Sequence, residues 1–458
     1  MKRSAVPRRL FTFFIVLFAG IGGVLYGYDI GVISGALLFM KKDISLSATE
    51  LSLIVAAVLG GGSIATLISG PLADFFGRKK MISIAAVFVI VGTVTLVGSH
   101  EFSSVLTGRL IQGIGIGIIT IVIPLYLSET APSQLRGRSV ATFQLFLTGG
   151  ILLAYVIDIL FAHSGDWRGM FLCVLAPAGL LFIGSFFLTE SPSWLFAKGR
   201  KDQAYQALLK TRTVNASQLE LQEMTKLKME VEELDPTARR KWKWRHYYLL
   251  PLIIALAVAC LNQLTGINIF LQFSSVILKE AGLASNIISM LGSVGVGLMN
   301  FIMTIIALLL VDKLGRKPLL IIGTAGVVIA LFFTGACDLF LQSGALKGYL
   351  VMGGLIGFIL FFAIGPGVVV WLAISELLPM PIRGRGMALA LFLNSMASTI
   401  LAAVYLDLVS WIGYGGAFWM CGIFTVIYFI IATFILPETK GKTLEEIELY
   451  FRKKGKKA

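Results

Sequence analysis

The chain alternates long apolar runs with short charged segments, and this alternation predicts its elements before anything else does. Windows of about twenty apolar residues, enough to cross a ~30 Å hydrocarbon layer as a helix, fall near 10–39, 51–73, 81–99, 104–127, 140–161, 169–188, 247–278, 286–311, 318–341, 348–375, 387–411 and 415–436. The pattern predicts twelve membrane-spanning helices. Several runs exceed what an upright helix needs, so tilt or breaks at glycine and proline are expected. The one long polar stretch, roughly 189–246, carries Ala204, Leu208, Leu219, Met224 and Leu227 at helical spacing among twelve basic and eight acidic residues. It reads as short amphipathic helices that join two membrane halves.

Composition agrees with this picture and narrows it. The 458 residues are 57% hydrophobic and only 14% charged, against about a quarter charged in soluble domains. The first apolar run is too long for a signal-peptide core and has no small-residue cleavage site after it, so it is expected to stay as a span. A net charge of +14 could point to nucleic acid, but its distribution points elsewhere. Of the 39 lysines and arginines, 33 fall on one side of the predicted spans. Five fall on the other (Lys41, Lys42, Arg168, Lys279, Lys347), and Arg109 lies inside a span. The positive-inside rule then puts both termini in the cytoplasm. No nucleic-acid partner is expected. Cys173, Cys260, Cys337 and Cys421 all sit in apolar runs without paired spacing, as small core residues rather than a disulfide or metal framework. No nucleophile–base pair or metal cluster suggests an enzyme.

The polar segments repeat. "DFFGRKK" after span 2 holds Asp74 and Arg78, and "DKLGRKP" after span 8 holds Asp312 and Arg316. "SETAPSQLRGR" ends span 4 with Glu129 and Arg136, and "SELLPMPIRGR" ends span 10 with Glu376 and Arg383, seven residues apart in each case. Equivalent motifs on the same membrane side imply six spans plus six, related by an axis along the membrane normal, as in major facilitator transporters. The eight charges form a candidate cytoplasmic latch that can make and break as the halves rock.

With these motifs, "TESPSWLFAKGR", "NQLTGIN", "IGPGVVVW" and "PETKGKTLEEI" in order, the chain resembles the sugar porter family of the major facilitator superfamily over nearly its whole length. Bacterial proton-coupled pentose and hexose symporters are the nearest look-alikes. The resemblance implies an all-α membrane protein with an N-terminal bundle at 1–188, a cytoplasmic linker at 189–246, a C-terminal bundle at 247–436 and a tail at 437–458. It implies a monomer in a bacterial inner membrane, a proton as coupling ion, and neither cofactor nor metal.

A sugar offers hydroxyls and apolar ring faces, so neutral amides and an aromatic platform suit it. Amides inside spans are Gln144, Asn262, Gln263, Asn268, Gln272, Asn300 and Asn394. Four crowd span 7, where Gly266 permits a helix break that lets more of them converge. The resemblance places Gln144, Gln263, Asn268, Asn300 and Asn394 at sugar-contacting positions and Trp371 beneath the sugar. It also marks three departures. Asn262 precedes Gln263 where relatives carry two glutamines, Gln272 and Phe273 replace a tyrosine pair, and Ser395 stands where many have tryptophan. The pocket is therefore expected to be less aromatic than a glucose type.

Asp29, in "GYDIGVISG", is the only charge in a lipid-length run, and such a carboxylate marks a functional site. Asp29 lies eleven residues before Met40 and Arg109 eight after Glu101, which puts both roughly 12–16 Å deep. The two are expected to pair. An Asp29 whose partner moves away is driven to take up a proton, whereas Arg109 keeps its own. Asp29 is thus the candidate proton carrier, in a coupling device apart from the sugar pocket. The resemblance agrees, since symporters carry aspartate here and many facilitators asparagine. Asp158, Asp338 and Asp407 lie near span ends and are expected at the interface. The expected function is proton-coupled monosaccharide symport by alternating access. A uniporter and a cyclitol carrier such as one for inositol are the alternatives.

Overall fold

The computed structural model describes residues 8–132, 136–234, 248–379, 382–440 and 446, and among these it contains no strand. Five long helices come first: α1 (Arg8–Asp43), α2 (Ala48–Phe76), α3 (Arg78–Val97), α4 (Phe102–Thr130) and α5 (Arg136–Leu160). The sixth crossing is built from α6 (Trp167–Leu172) and α7 (Leu175–Ser185). The polar stretch forms two short helices, α8 (Pro192–Ala197) and α9 (Lys201–Leu209), and a 21-residue one, α10 (Val214–Leu234). The second set is α11 (Leu249–Leu264), α12 (Ile267–Gln272), α13 (Ser274–Glu280), α14 (Asn286–Leu314), α15 (Arg316–Phe340), α16 (Ala345–Ile364), α17 (Pro366–Leu377) and α18 (Arg383–Ile430).

Eleven helical stretches among the described residues are long and apolar enough to cross a membrane. The last of them, Arg383–Ile435, has 53 residues, or about 80 Å of helix, more than twice a hydrocarbon core. It turns at Gly413, which has φ 72°, and so supplies two crossings. Twelve crossings result. We call the face at the Arg8 end of α1 proximal and the opposite face distal.

Two local features shape the halves. Span 7 breaks at Gly266, whose φ of 90° is left-handed and separates α11 from α12. On the proximal side, Gly77 and Gly315 occupy equivalent turns with φ of 94° and 95°, a region that costs any residue with a Cβ. A Cβ at Gly77 would also lie 2.3 Å from the Glu190 carboxylate, and one at Gly315 would lie 2.9 Å from that of Glu438. The repeated glycine of "GRKK" and "GRKP" is thus a backbone requirement.

Packing follows small residues. α1 lies along α5, α2 along α4 and α18, and α15 along α16 and α18. In the first of these seams Gly27, Gly31 and Gly35 face α5 so closely that a Cβ at Gly27 would sit 1.8 Å from the Leu147 carbonyl oxygen. This is the close approach that small residues at four-residue spacing permit in membranes. The halves are tied at their distal ends. The Ser34 hydroxyl bonds those of Ser274 and Ser275 at 2.9 Å, Tyr155 donates to the Leu271 carbonyl at 2.7 Å, and Thr49 donates to Asp407 at 2.7 Å.

Candidate functional site

α1 and α4 bring Asp29 and Arg109 together in the interior of the first half. Arg109 Nη1 donates to Asp29 Oδ1 at 2.6 Å, and their side chains are 0% and 3% exposed. The guanidinium is held from several other sides. It donates to Gln112 Oε1 at 3.2 Å and lies 5.4 Å from the Phe171 ring centre, a cation–π distance. Gln112 in turn donates to Thr93 at 2.8 Å. Asp29 has no such scaffold. Its Oδ2 is buried without a partner, as is Arg109 Nη2. The pair is therefore asymmetric, with a fixed cation and a carboxylate tethered through one oxygen.

Asp29 also lines a small cavity, with residues of α2 and α4 beside it. Gln263, Asn268, Gln272 and Asn394 line the same cavity from the second half, with Ser395, Ser398 and Tyr26. The expected separation of the proton site from the amide pocket is therefore not found. α1 runs between the halves and presents Asp29 to both.

The break at Gly266 does what the spacing required. Asn268 Nδ2 donates to Gln263 Oε1 at 2.9 Å and to Ser398 Oγ at 2.8 Å. Gln263 Nε2 donates to Asn394 Oδ1 at 3.1 Å, and Asn394 Nδ2 to the Ala259 carbonyl at 2.8 Å. A directed chain of neutral amides thus crosses from α12 through α11 to α18. Gln272 stands outside this chain. It is fully buried, and neither its Oε1 nor its Nε2 has a partner. An unpaired buried amide costs about 1–3 kcal/mol, which a hydroxyl-bearing ligand in the cavity would offset.

The other amides are placed differently. Asn262 turns away and donates to the Pro366 carbonyl at 3.1 Å, a bond that ties α11 to α17. Gln144 and Asn300 do not line the cavity, and Trp371 packs against the proximal apolar cluster of the second half.

At the proximal rim Arg78 is the hub of the first charge set. Its Nε and Nη2 grip Glu129 at 3.0 and 2.9 Å, and its Nη1 reaches Asp74 at 3.0 Å. In the second set Arg316 reaches Glu376 at 3.2 Å through Nη2. Arg383 does not join it, because its guanidinium donates to the Leu378 carbonyl at 3.2 Å. The side chains of Arg136 and Asp312 lie outside the described residues.

Two further carboxylates, Glu190 and Glu438, stand at this rim. Glu190 accepts the backbone N–H groups of Arg78 and Lys79 at 2.9 and 3.2 Å, and Glu438 accepts those of Arg316 and Lys317 at 3.2 and 3.0 Å. Each carboxylate sits at a helix N-terminus, where free N–H groups and the dipole favour an anion. The signal was present in the sequence as a glutamate after span 6 ("TESPSW") and another after span 12 ("PETKG"). Partial burial pushes Glu438 up, but backbone donors from Lys440, Lys317, Arg316 and Thr439 hold it below the ordinary glutamate range. The linker adds one more clamp. Arg212, between α9 and α10, donates to the Thr130 and Ala131 carbonyls at 3.0 and 3.2 Å and so caps the proximal end of α4.

The family profile described as "Sugar (and other) transporter" matches residues 15–451. The glucose transporter GlcP of Staphylococcus epidermidis is 34% identical over 442 residues, covering 96% of this chain and 98% of that protein. The galactose-proton symporter of Escherichia coli (strain K12) is 31% identical over 453 residues, covering 98% and 96%. Among solved structures, the inward open conformation of the xylose transporter XylE from E. coli superposes with a TM-score of 0.82 at 28% identity, covering 96% of this chain and 99% of that one.

Proposed function

The chain belongs to the sugar transporter family of the major facilitator superfamily, and on that premise we propose that it is a proton-coupled symporter of a monosaccharide. The observation that carries the reading is a buried, half-partnered Asp29 lining the same cavity as a chain of neutral amides. Both termini are cytoplasmic in this reading, as the lysines and arginines indicate, so the distal face is the outside. The six-span bundles at 1–188 and 247–436 rock about the cavity, with the linker 189–246 and the tail from 437 on the inner side.

The cycle follows from the pair's asymmetry. A proton on Asp29 removes the charge that holds it to Arg109, and Arg109 keeps Gln112 and Phe171 as partners. α1 is then free to move without separating opposite charges in a dry interior. Gln263, Asn268, Gln272 and Asn394 hold sugar hydroxyls, and Gln144, Asn300 and Trp371 close on the sugar as the halves rock. Arg78 with Asp74 and Glu129, and Arg316 with Glu376, latch the inner rim.

Proteoliposomes with an imposed pH gradient test the coupling. Asp29→Asn is expected to keep sugar counterflow while losing uphill accumulation and sugar-induced alkalinisation. Retention of either coupled readout by Asp29→Asn would mean that Asp29 does not carry the proton, and absence of both from the native protein would leave uniport standing. A cyclitol is a second substrate reading, favoured by Gln272 and Ser395 at the cavity and by Phe273, buried next to Gln272. Competition by a panel of pentoses, hexoses and cyclitols against labelled sugar separates the two.

A further inference from the structure

Near the distal end of α5 lies a second carboxyl that the cycle above does not use. Asp158 was expected at the water interface, yet it is only 1% exposed. Its Oδ2 accepts the backbone N–H of Gly35 at 3.1 Å, and its Oδ1 has no partner. Gly35 is inside α1, so that N–H also points along the helix at the carbonyl one turn back and gives the carboxyl only part of a bond. The closeness of the α1–α5 seam leaves no room for water there, since a Cβ at Gly35 would lie 2.5 Å from the Asp158 carboxyl.

No cation offsets this group among the described residues. The titratable groups that face it are Tyr28 from α1, Tyr155 from its own helix and Cys173 after α6. Tyr28 already donates to the Met170 carbonyl at 2.8 Å. Arg109 of α4 is engaged by Asp29, and the charges of α14, Asp312 and Lys313, are at its proximal end. An ionised carboxylate in that setting costs several kcal/mol, and such a group takes up a proton instead.

The surroundings connect this proton to the distal gate. Ser34, next to Gly35, makes the hydroxyl bonds to Ser274 and Ser275. Tyr155, one turn before Asp158, makes the bond to Leu271. Two of the three distal ties are thus made by the immediate neighbours of the carboxyl and of its one donor, the third being Thr49 to Asp407. When they break, water reaches the seam and hydrates the carboxylate.

We propose that Asp158 is a second proton-binding site, separate from Asp29, that holds its proton while the distal gate is shut and gives it up when the gate opens. The O–H bond of the acid breaks and the proton passes to water, with closure reversing the step, so no other reactant is needed. The proposal rests on the alternating-access reading for the opening of the gate. It makes alkaline solution favour the open gate independently of Asp29.

The test uses the full chain with Asp29→Asn, which removes the first proton site. Spin labels at Ser45→Cys and Ala284→Cys, both exposed on the distal face, report the separation of the halves in nanodiscs. The distance is expected to lengthen as pH rises from about 6 to about 9. With Asp158→Asn added, it should stay the same across that range. A response that persists in the double variant, or is missing from Asp29→Asn alone, overturns the proposal. Sugar counterflow by both proteins checks folding and tests transport itself, so failure of the transport reading is seen separately. An infrared readout covers the case in which Asp158→Asn does not fold. The carbonyl band of a protonated carboxylic acid must persist in Asp29→Asn at neutral pH and fade as pH rises. Its absence at neutral pH also overturns the proposal.

Discussion

In the first half of the chain the interior holds titratable acids, with Asp29 against Arg109 and Asp158 buried in the seam with α1. The interior of the second half holds neutral amides, with Asn268, Gln263 and Asn394 bonded in a row. The two interiors behave differently under change. Opposite charges in a dry interior can part only if one is neutralised, so the first half responds to a proton. Amides exchange one neutral partner for another at a net cost near 1 kcal/mol per bond, so the second half responds to hydroxyls. The proximal rims differ in the same direction. Arg78 grips Glu129 through two nitrogens, while the Arg316 contact with Glu376 runs through Nη2 alone.

The sharpest way to break this comparison is to remove the fixed cation. Arg109→Ala should destabilise the protein by about 3–5 kcal/mol, the usual result of stranding one member of a buried pair. Adding Asp29→Asn should recover a large part of that loss, and thermal unfolding in detergent measures both. Equal destabilisation in the single and double variants would mean that Arg109 acts through Gln112 and Phe171 rather than through the pair. The rims provide the next test. Arg78→Ala should cost about 2–3 kcal/mol, because it leaves charge-assisted bonds to a half-buried carboxylate unmade. Glu376→Gln should cost less than Glu129→Gln, because Arg316 meets Glu376 through one nitrogen and Arg78 meets Glu129 through two, and equal losses would deny the asymmetry between these two contacts.

How far all this could be read in advance depended on the kind of signal. Spans and their number show in length and apolarity alone, and the internal repeat pointed to a six-plus-six grouping and to the proximal charges. The Asp29–Arg109 pair was legible because two unlike charges in apolar runs fell at matching depth. Three features were not. That Asp29 borders the amide cavity depends on α1 lying between the halves, which no spacing within one span reveals. The burial of Asp158 depends on the seam with α1, where three glycines draw the helices together and leave no room for water. Asn262 and Gln263 are neighbours in sequence, yet only Gln263 faces the cavity, because consecutive helix positions point about 100° apart.

A smaller effect sharpens the account of the second interior. Asn268→Ala removes the donor shared by Gln263 and Ser398 and should weaken sugar binding about tenfold, or 1.4 kcal/mol. Proton coupling in Asn268→Ala, read as alkalinisation per sugar carried, should be unchanged. A change in that ratio would mean that the amide chain also acts on the proton site. Gln272→Ala should weaken binding less and alter the ranking of competing sugars more, because its amide has no protein partner to lose.

The smallest expected effect concerns Glu438 at the second rim, where four backbone donors hold the carboxylate below the ordinary glutamate range. A carboxyl depressed by folding contributes stability that is fully present above its unfolded value and is lost as pH falls through its folded value. A carboxylate at a helix N-terminus contributes about 0.3–1 kcal/mol, and here the lower end applies because the group is partly exposed. Melting temperatures of the native protein and of Glu438→Gln should therefore differ slightly near neutral pH. They should converge as pH drops through and below about 4. A gap that stays constant through the acid range would show that the carboxylate's charge contributes nothing to holding the α15 N-terminus, and that the second rim is kept in place by its other contacts, Arg316 with Glu376 among them.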